Sequence, residues 1–98
     1  MAFKLSWSPA ARDDLHDIVL FIARDNPDRA MAFGFELISE TDRLQIFPES
    51  GRVVPEYRNQ AIREIILRPY RIVYRIDHER RLCEMVRVWH SARGIPEL

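Results

Sequence analysis

The segment from Ile62 to Arg93, IREIILRPYRIVYRIDHERRLCEMVRVWHSAR, constrains the fold of this chain more than any other. It divides into three apolar runs, Ile62 to Leu67, Arg71 to Ile76 and Leu82 to Trp89, joined by RPY and DHERR links of hairpin length. Short runs rich in Ile, Val and Tyr fit a pleated, half-buried surface, and links this short join antiparallel neighbours. The expectation is an antiparallel β-meander. In the middle run Ile72, Tyr74 and Ile76 alternate with Arg71, Val73 and Arg75, so one face is apolar and the other carries arginine.

An apolar sheet face has to be covered, and the first half of the chain supplies helices for it. Phe3, Leu5 and Trp7 alternate with Lys4 and Ser6 as a short N-terminal strand. Ser8 followed by Pro9 is a helix start, since the hydroxyl can accept from an early N–H and proline at the first helical position loses no hydrogen bond. Ala11, Leu15, Ile18, Val19 and Ile22 then recur at helical spacing, with Arg12, Asp13, Asp14 and Asp17 opposite, to about Arg24. Asn26 and Pro27 repeat the start signal. Ala30, Phe33, Leu37, Ile38 and Thr41 or Leu44 mark a second helix that ends before Pro48. So tight a connection predicts an antiparallel helical hairpin. Phe47 to Arg52, FPESGR, reads as a loop in which Gly51 is free to take a positive φ, and Val53 with Val54 as a short strand before Pro55. The expected class is α+β: N-terminal strand, antiparallel helical hairpin, then a C-terminal antiparallel β-meander forming one sheet packed on the helices.

At 98 residues with no repeat or low-complexity linker, one domain spanning 1–98 is expected, burying roughly 60 to 65% of its unfolded surface. The single cysteine, Cys83, excludes an internal disulfide and sits in an apolar run, where it reads as a small buried hydrophobe. No window reaches the ~18 apolar residues of a membrane span, so a cytoplasmic location and no membrane association are expected. The net charge of zero conceals an asymmetry: residues 1–49 carry five basic and nine acidic groups, residues 50–98 ten and six. Fourteen of the fifteen basic residues are arginine, whose planar fork suits carboxylate or phosphate. A neutral chain is nonetheless a poor general nucleic-acid binder, because such affinity scales with phosphates neutralised.

Several chemistries fail on spacing. His16, His78 and His90 lie on different predicted elements and Cys83 has no nearby thiolate partner, so no metal site is expected. Ser91 follows His90 directly and would point to the opposite face, which removes a serine triad. With three glycines there is no phosphate-binding glycine loop, and no small-molecule cofactor is implied. What remains is a cationic group on the face opposite the helices: Arg71 and Arg75, flanked by Arg63 and Arg87, with His90 and Arg93 reaching the same edge. Such a group can hold a phosphodiester while His90 donates a proton to the leaving oxygen, or it can dock an acidic peptide. Alternatively the arginines pair across strands with Glu64, Asp77 and Glu84. Trp7, Tyr74 and Trp89 read chiefly as core, although Trp89 shares a face with Arg87 and is the one of the three placed to be exposed in a partner groove.

The order of these parts resembles the RelE/ParE superfamily of bacterial toxins from type II toxin-antitoxin modules. The resemblance is carried by SPAARDDLHDI (Ser8 to Ile18), PxxA (Pro27 to Ala30), FPESGR (Phe47 to Arg52), YRIVYRID (Tyr70 to Asp77) and VRVWHSAR (Val86 to Arg93), and it covers nearly the whole chain. It implies a small α+β fold and a cognate antitoxin protein that neutralises the toxin. It also implies one of two activities: ParE-like inhibition of DNA gyrase, or RelE-like ribosome-dependent mRNA cleavage. RelE-like members are strongly basic and often end in a catalytic Tyr, whereas here Lys4 is the only lysine and no Tyr follows His90. ParE-like inhibition of gyrase is therefore the expected activity, with mRNA cleavage on the ribosome as the alternative. In that alternative Arg71 and His90 would be catalytic; under either activity Arg63, Arg75, Arg87, Trp89 and Arg93 are the expected phosphate- or partner-binding residues.

Overall fold

The computed structural model describes residues 2–98. Strand β1 (Lys4–Trp7) leads into helix α1 (Pro9–Asp25), helix α2 (Pro27–Asp42) and a 3₁₀ turn at Arg43–Gln45. Strands β2 (Arg52–Val53), β3 (Ile62–Leu67), β4 (Tyr70–Asp77) and β5 (Leu82–His90) follow, and a 3₁₀ turn at Ser91–Arg93 precedes the tail. All five strands form one sheet in the order β1-β5-β4-β3-β2, antiparallel except for β1, which runs parallel to β5. The strand, hairpin and meander therefore stand as the periodicities predict, with small shifts: α1 reaches Asp25, β2 starts at Arg52, and β4 gains Tyr70 and Asp77.

The two proline signals work through their caps. Ser8 Oγ accepts from Ala11 N at 3.0 Å and donates to Val86 O at 3.0 Å, tying the start of α1 to β5. Asn26 serves both helices. Its N–H closes α1 on Ile22 O at 3.0 Å, and its side-chain oxygen accepts from Arg29 N at 3.1 Å to open α2. One extended residue thus makes the turn of the hairpin.

Tyr70, Ile72, Tyr74 and Ile76 face the helices and join Ile65, Cys83, Met85 and Val88 with Ala11, Leu37 and Leu44 in the main core. Cys83 is fully buried, and burial pushes its thiol up to about 11, away from reactive thiolate. The opposite face is also covered. There Val54, Ile62, Val73 and Val86 make a second small cluster, reached by the loop after β2 and by the tail, whose Pro96 carbonyl accepts from Tyr57 Oη. A β-bulge shapes this face: β4 pairing steps from Val73↔Arg87 to Tyr74↔Met85, leaving Val86 unpaired, so Val86 and Arg87 both point away from the helices.

Gly51 has a role other than the predicted one. Its φ is not positive; instead a Cβ there would lie 2.5 Å from Tyr74 Oη and 2.7 Å from Glu64 O. The close approach lets Tyr74 Oη accept from Gly51 N at 2.9 Å and donate to Pro48 O at 2.7 Å, pinning the FPESGR loop onto the core.

Candidate functional site

The arginines do not form an open cationic face. Arg71, on β4, points away from the helices as the alternation requires, but it is 7% exposed. Its Nε donates to Glu64 Oε1 at 2.6 Å and its Nη2 to Glu64 Oε2 at 3.3 Å. Its outer edge grips Glu56, with Nη1 to Oε2 at 3.0 Å and Nη2 to Oε1 at 2.7 Å. Glu64 itself has no exposed side-chain surface, and Arg52, its register partner on β2, donates Nε to Oε2 at 2.7 Å. Two arginines and two glutamates are thus interleaved and neutral. The Glu56 and Glu64 carboxylates raise the Arg71 pKa, and the hydrogen bonds from Arg71 hold the Glu56 carboxyl below its ordinary value.

The predicted partners of Arg71 are dispersed by the register. Arg63 pairs with Tyr74 and so lies on the helix-facing side, contrary to its expected place beside Arg71 and Arg75. Its guanidinium is spent on the loop, donating to Gln60 O at 2.9 Å, Gln60 Oε1 at 2.9 Å, Gly51 O at 3.0 Å and Glu49 O at 3.2 Å. His90 pairs with Tyr70 and Arg71 with Trp89, so the imidazole and the Arg71 guanidinium project to opposite faces. His90 Nδ1 accepts from Ala92 N at 3.0 Å, capping the last 3₁₀ turn, and the ring meets Tyr70 edge-on at 5.3 Å. In its neutral form this leaves the proton on Nε2.

Arg87 forks onto Asp14 of α1, with Nε to Oδ2 at 2.8 Å and Nη2 to Oδ1 at 2.9 Å, and this pairing raises its pKa. Asp14 Oδ2 also accepts from Val88 N at 2.9 Å. Past the end of β1, side chains of the first helix therefore satisfy the edge of β5. Trp89 is 2% exposed and not a surface platform. Arg93 lies 3.8 Å over its ring and Arg87 4.8 Å, while Nε1 donates to Gly94 O at 3.2 Å. Of the seven predicted residues, Arg75 and Arg93 are exposed; Arg75 comes within 4.0 Å of Glu84.

Sequence reading missed two groups that organise this face, Glu56 and Asp14. Glu64 carried a visible signal, as a carboxylate inside the apolar run IREIIL. Glu56 follows Pro55 in an aperiodic loop, and nothing local marks it.

Exposed apolar side chains gather on the hairpin, where Leu20, Phe21, Met31, Phe35 and Ile38 are 52–67% exposed. Beside it Leu5, Trp7, Leu15, Val19, Leu20 and Ile38 line a groove of about 730 Å³ between β1 and α1. A second hollow of about 370 Å³ lies between α1 and the ends of β4 and β5, lined by Asp14, Asp17, Phe21, Tyr70, His90 and Arg93 among others. No helix among the described residues is long and apolar enough to cross a membrane.

A strand, a helical hairpin and a meander closed by a parallel first strand make up the fold of RelE/ParE-type toxins. A P. aeruginosa structure of a chromosomal ParDE toxin-antitoxin system superposes with a TM-score of 0.72 at 18% identity, over 91% of this chain and 96% of that one. A Mycobacterium tuberculosis RelBE2 toxin-antitoxin complex superposes with a TM-score of 0.61 at 23% identity, over 92% and 99%. In sequence, "Putative toxin Y4kP" of Sinorhizobium fredii is 30% identical over 97 residues, 97% of this chain and 95% of Y4kP. Residues 5–95 match the profile of the ParE toxin of the type II toxin-antitoxin system parDE, and the chain belongs to that family. It is a type II toxin of the RelE/ParE superfamily.

Proposed function

We propose that this toxin arrests growth in the ParE manner, by inhibiting DNA gyrase, and that a cognate antitoxin neutralises it. One observation carries the choice of activity: Arg71 and His90 project to opposite faces of the sheet, and the Arg71 guanidinium is consumed by Glu56 and Glu64. Cleavage of a phosphodiester needs a cationic clamp and a proton donor on one reacting group. Arg71 and His90 do not converge, and Arg63 is turned to the loop. The neutral charge supports the same reading, since docking into an RNA-rich site favours a basic chain.

Contacts with the target run through what is exposed, Arg75 and Arg93, rather than through the buried Arg71. The antitoxin covers the apolar hairpin surface and the adjoining groove, where a segment that folds on binding gains apolar burial. The test is supercoiling of relaxed plasmid by purified gyrase with and without this protein. Inhibition relieved by adding antitoxin supports the proposal; full gyrase activity at a large excess of folded toxin refutes it.

A further inference from the structure

Of the four charged groups interleaved on the outer face, three stand on strands and one does not. Arg52, Glu64 and Arg71 belong to β2, β3 and β4, whereas Glu56 belongs to the strap Pro55–Gln60, in which every residue is exposed. The strap turns back on the buried Val54, whose carbonyl accepts from both Tyr57 N and Arg58 N. It is joined to the rest of the molecule by Glu56 on Arg71, Tyr57 on Pro96, Gln60 on Arg63 and Asn59, which accepts from Ala61 N and from Ile62 N at the start of β3.

Arg71 does not need Glu56 to hold its orientation. The short bond from Nε to Glu64 fixes the guanidinium from behind and presents the Nη1/Nη2 edge to the strap. Glu56 sits on that edge with one oxygen per nitrogen, the parallel geometry in which arginine binds a carboxylate. Without it Arg52, Arg71 and Glu64 would carry one net positive charge, which a single carboxylate balances. Val54, which leads into the strap, clusters with Ile62, Val73 and Val86 on this same face.

We propose that the Nη1/Nη2 edge of Arg71 is a carboxylate subsite which Glu56 fills as an internal placeholder, and that an Asp or Glu side chain of an acidic partner peptide replaces it as the strap lifts. Tethered beside Arg71, Glu56 outcompetes small anions in solution; a segment making several contacts at once can displace it. The identity of that partner as the antitoxin rests on the function proposed above, while the subsite itself does not.

Thermal unfolding of Glu56→Ala in acetate, against chloride at constant ionic strength, tests the subsite. Acetate should raise the melting temperature of the variant by more than that of the wild type, whose shift reports the general salt effect. No acetate-specific shift in the variant, or an equal shift in both proteins, overturns the proposal. Dimethyl phosphate stabilising more than acetate overturns the carboxylate assignment. Should Glu56→Ala fail to fold, Glu56→Gln keeps the volume of the strap and is titrated with a fluorescent octaglutamate peptide. It should bind at least about tenfold tighter than wild type, because the competing state is gone; equal affinity overturns the proposal. With the antitoxin, slower release from Glu56→Ala than from wild type supports the partner assignment. Unchanged release alongside acetate rescue overturns that assignment alone.

Discussion

Replacing Arg71 with methionine tests whether this residue is structural. Glu64 has no exposed side-chain surface and is held by Arg71 at 2.6 Å and by Arg52 at 2.7 Å. Removing Arg71 leaves that buried carboxylate with Arg52 alone, whose side chain is 59% exposed, and leaves Glu56 without its fork. Breaking a buried ion pair from one side costs about 3–5 kcal/mol, and the surviving Arg52 places this case near the lower end, at about 3 kcal/mol. A domain of this size has roughly 5–15 kcal/mol in total. The melting temperature should therefore fall by roughly 12–24 °C, at about 4–8 °C per kcal/mol. The double variant Arg71→Met/Glu64→Leu removes the stranded charge together with its partner and should recover most of the loss. Urea denaturation followed by tryptophan fluorescence measures both. A single variant within about 1 kcal/mol of wild type, or a double variant no more stable than the single, would refute the reasoning. Loss of toxicity in an Arg71 variant accordingly reports on folding until its stability has been measured.

Three further outcomes follow from the same contacts. Asp14→Ala strips both the Arg87 fork and the Val88 N–H of their acceptor and should cost about 2–3 kcal/mol in denaturant titrations, with Asp14→Asn intermediate. Gly51→Ala drives a methyl into Tyr74 Oη and the Glu64 carbonyl, and should destabilise by about 1–3 kcal/mol or more, read as a lower urea midpoint. The third concerns acid. Because Arg71 depresses the Glu56 carboxyl below its ordinary 4.5, the stability it contributes is present above that value and is lost as the pH falls through the depressed one. The stability difference between wild type and Glu56→Gln should be constant near neutrality and shrink on acidification below about pH 5. A difference that grows on acidification would reverse the assigned sign.

The architecture was legible because each element carried its own signal. Ser8-Pro9 and Asn26-Pro27 set the helix starts, and the alternation of Ile72, Tyr74 and Ile76 marked the face that meets the helices. The outer face was not legible for two physical reasons. It is met by residues 54–57 and the tail, segments with no periodicity, so burial of Arg71 and Val73 had no local trace, whereas Trp89 is core as its chief reading had it. Placement of the site residues also depends on register, since a shift of one residue exchanges faces. Arg63 and His90 were expected beside Arg71, but the pairings Arg63↔Tyr74 and Tyr70↔His90 put both on the helix-facing side. Cross-strand pairing with Glu64 and Glu84 was the alternative reading of these arginines, and the structure contains Arg71 with Glu64 and Arg75 near Glu84.

The central proposal is that this toxin stops replication without cutting RNA. It is tested most directly by pulse-labelling DNA and protein synthesis in bacteria in the first minutes after the chain is induced without an antitoxin. Thymidine incorporation should fall first while methionine incorporation continues. An immediate fall in methionine incorporation, with DNA synthesis persisting, would contradict the account and make His90→Ala the decisive variant.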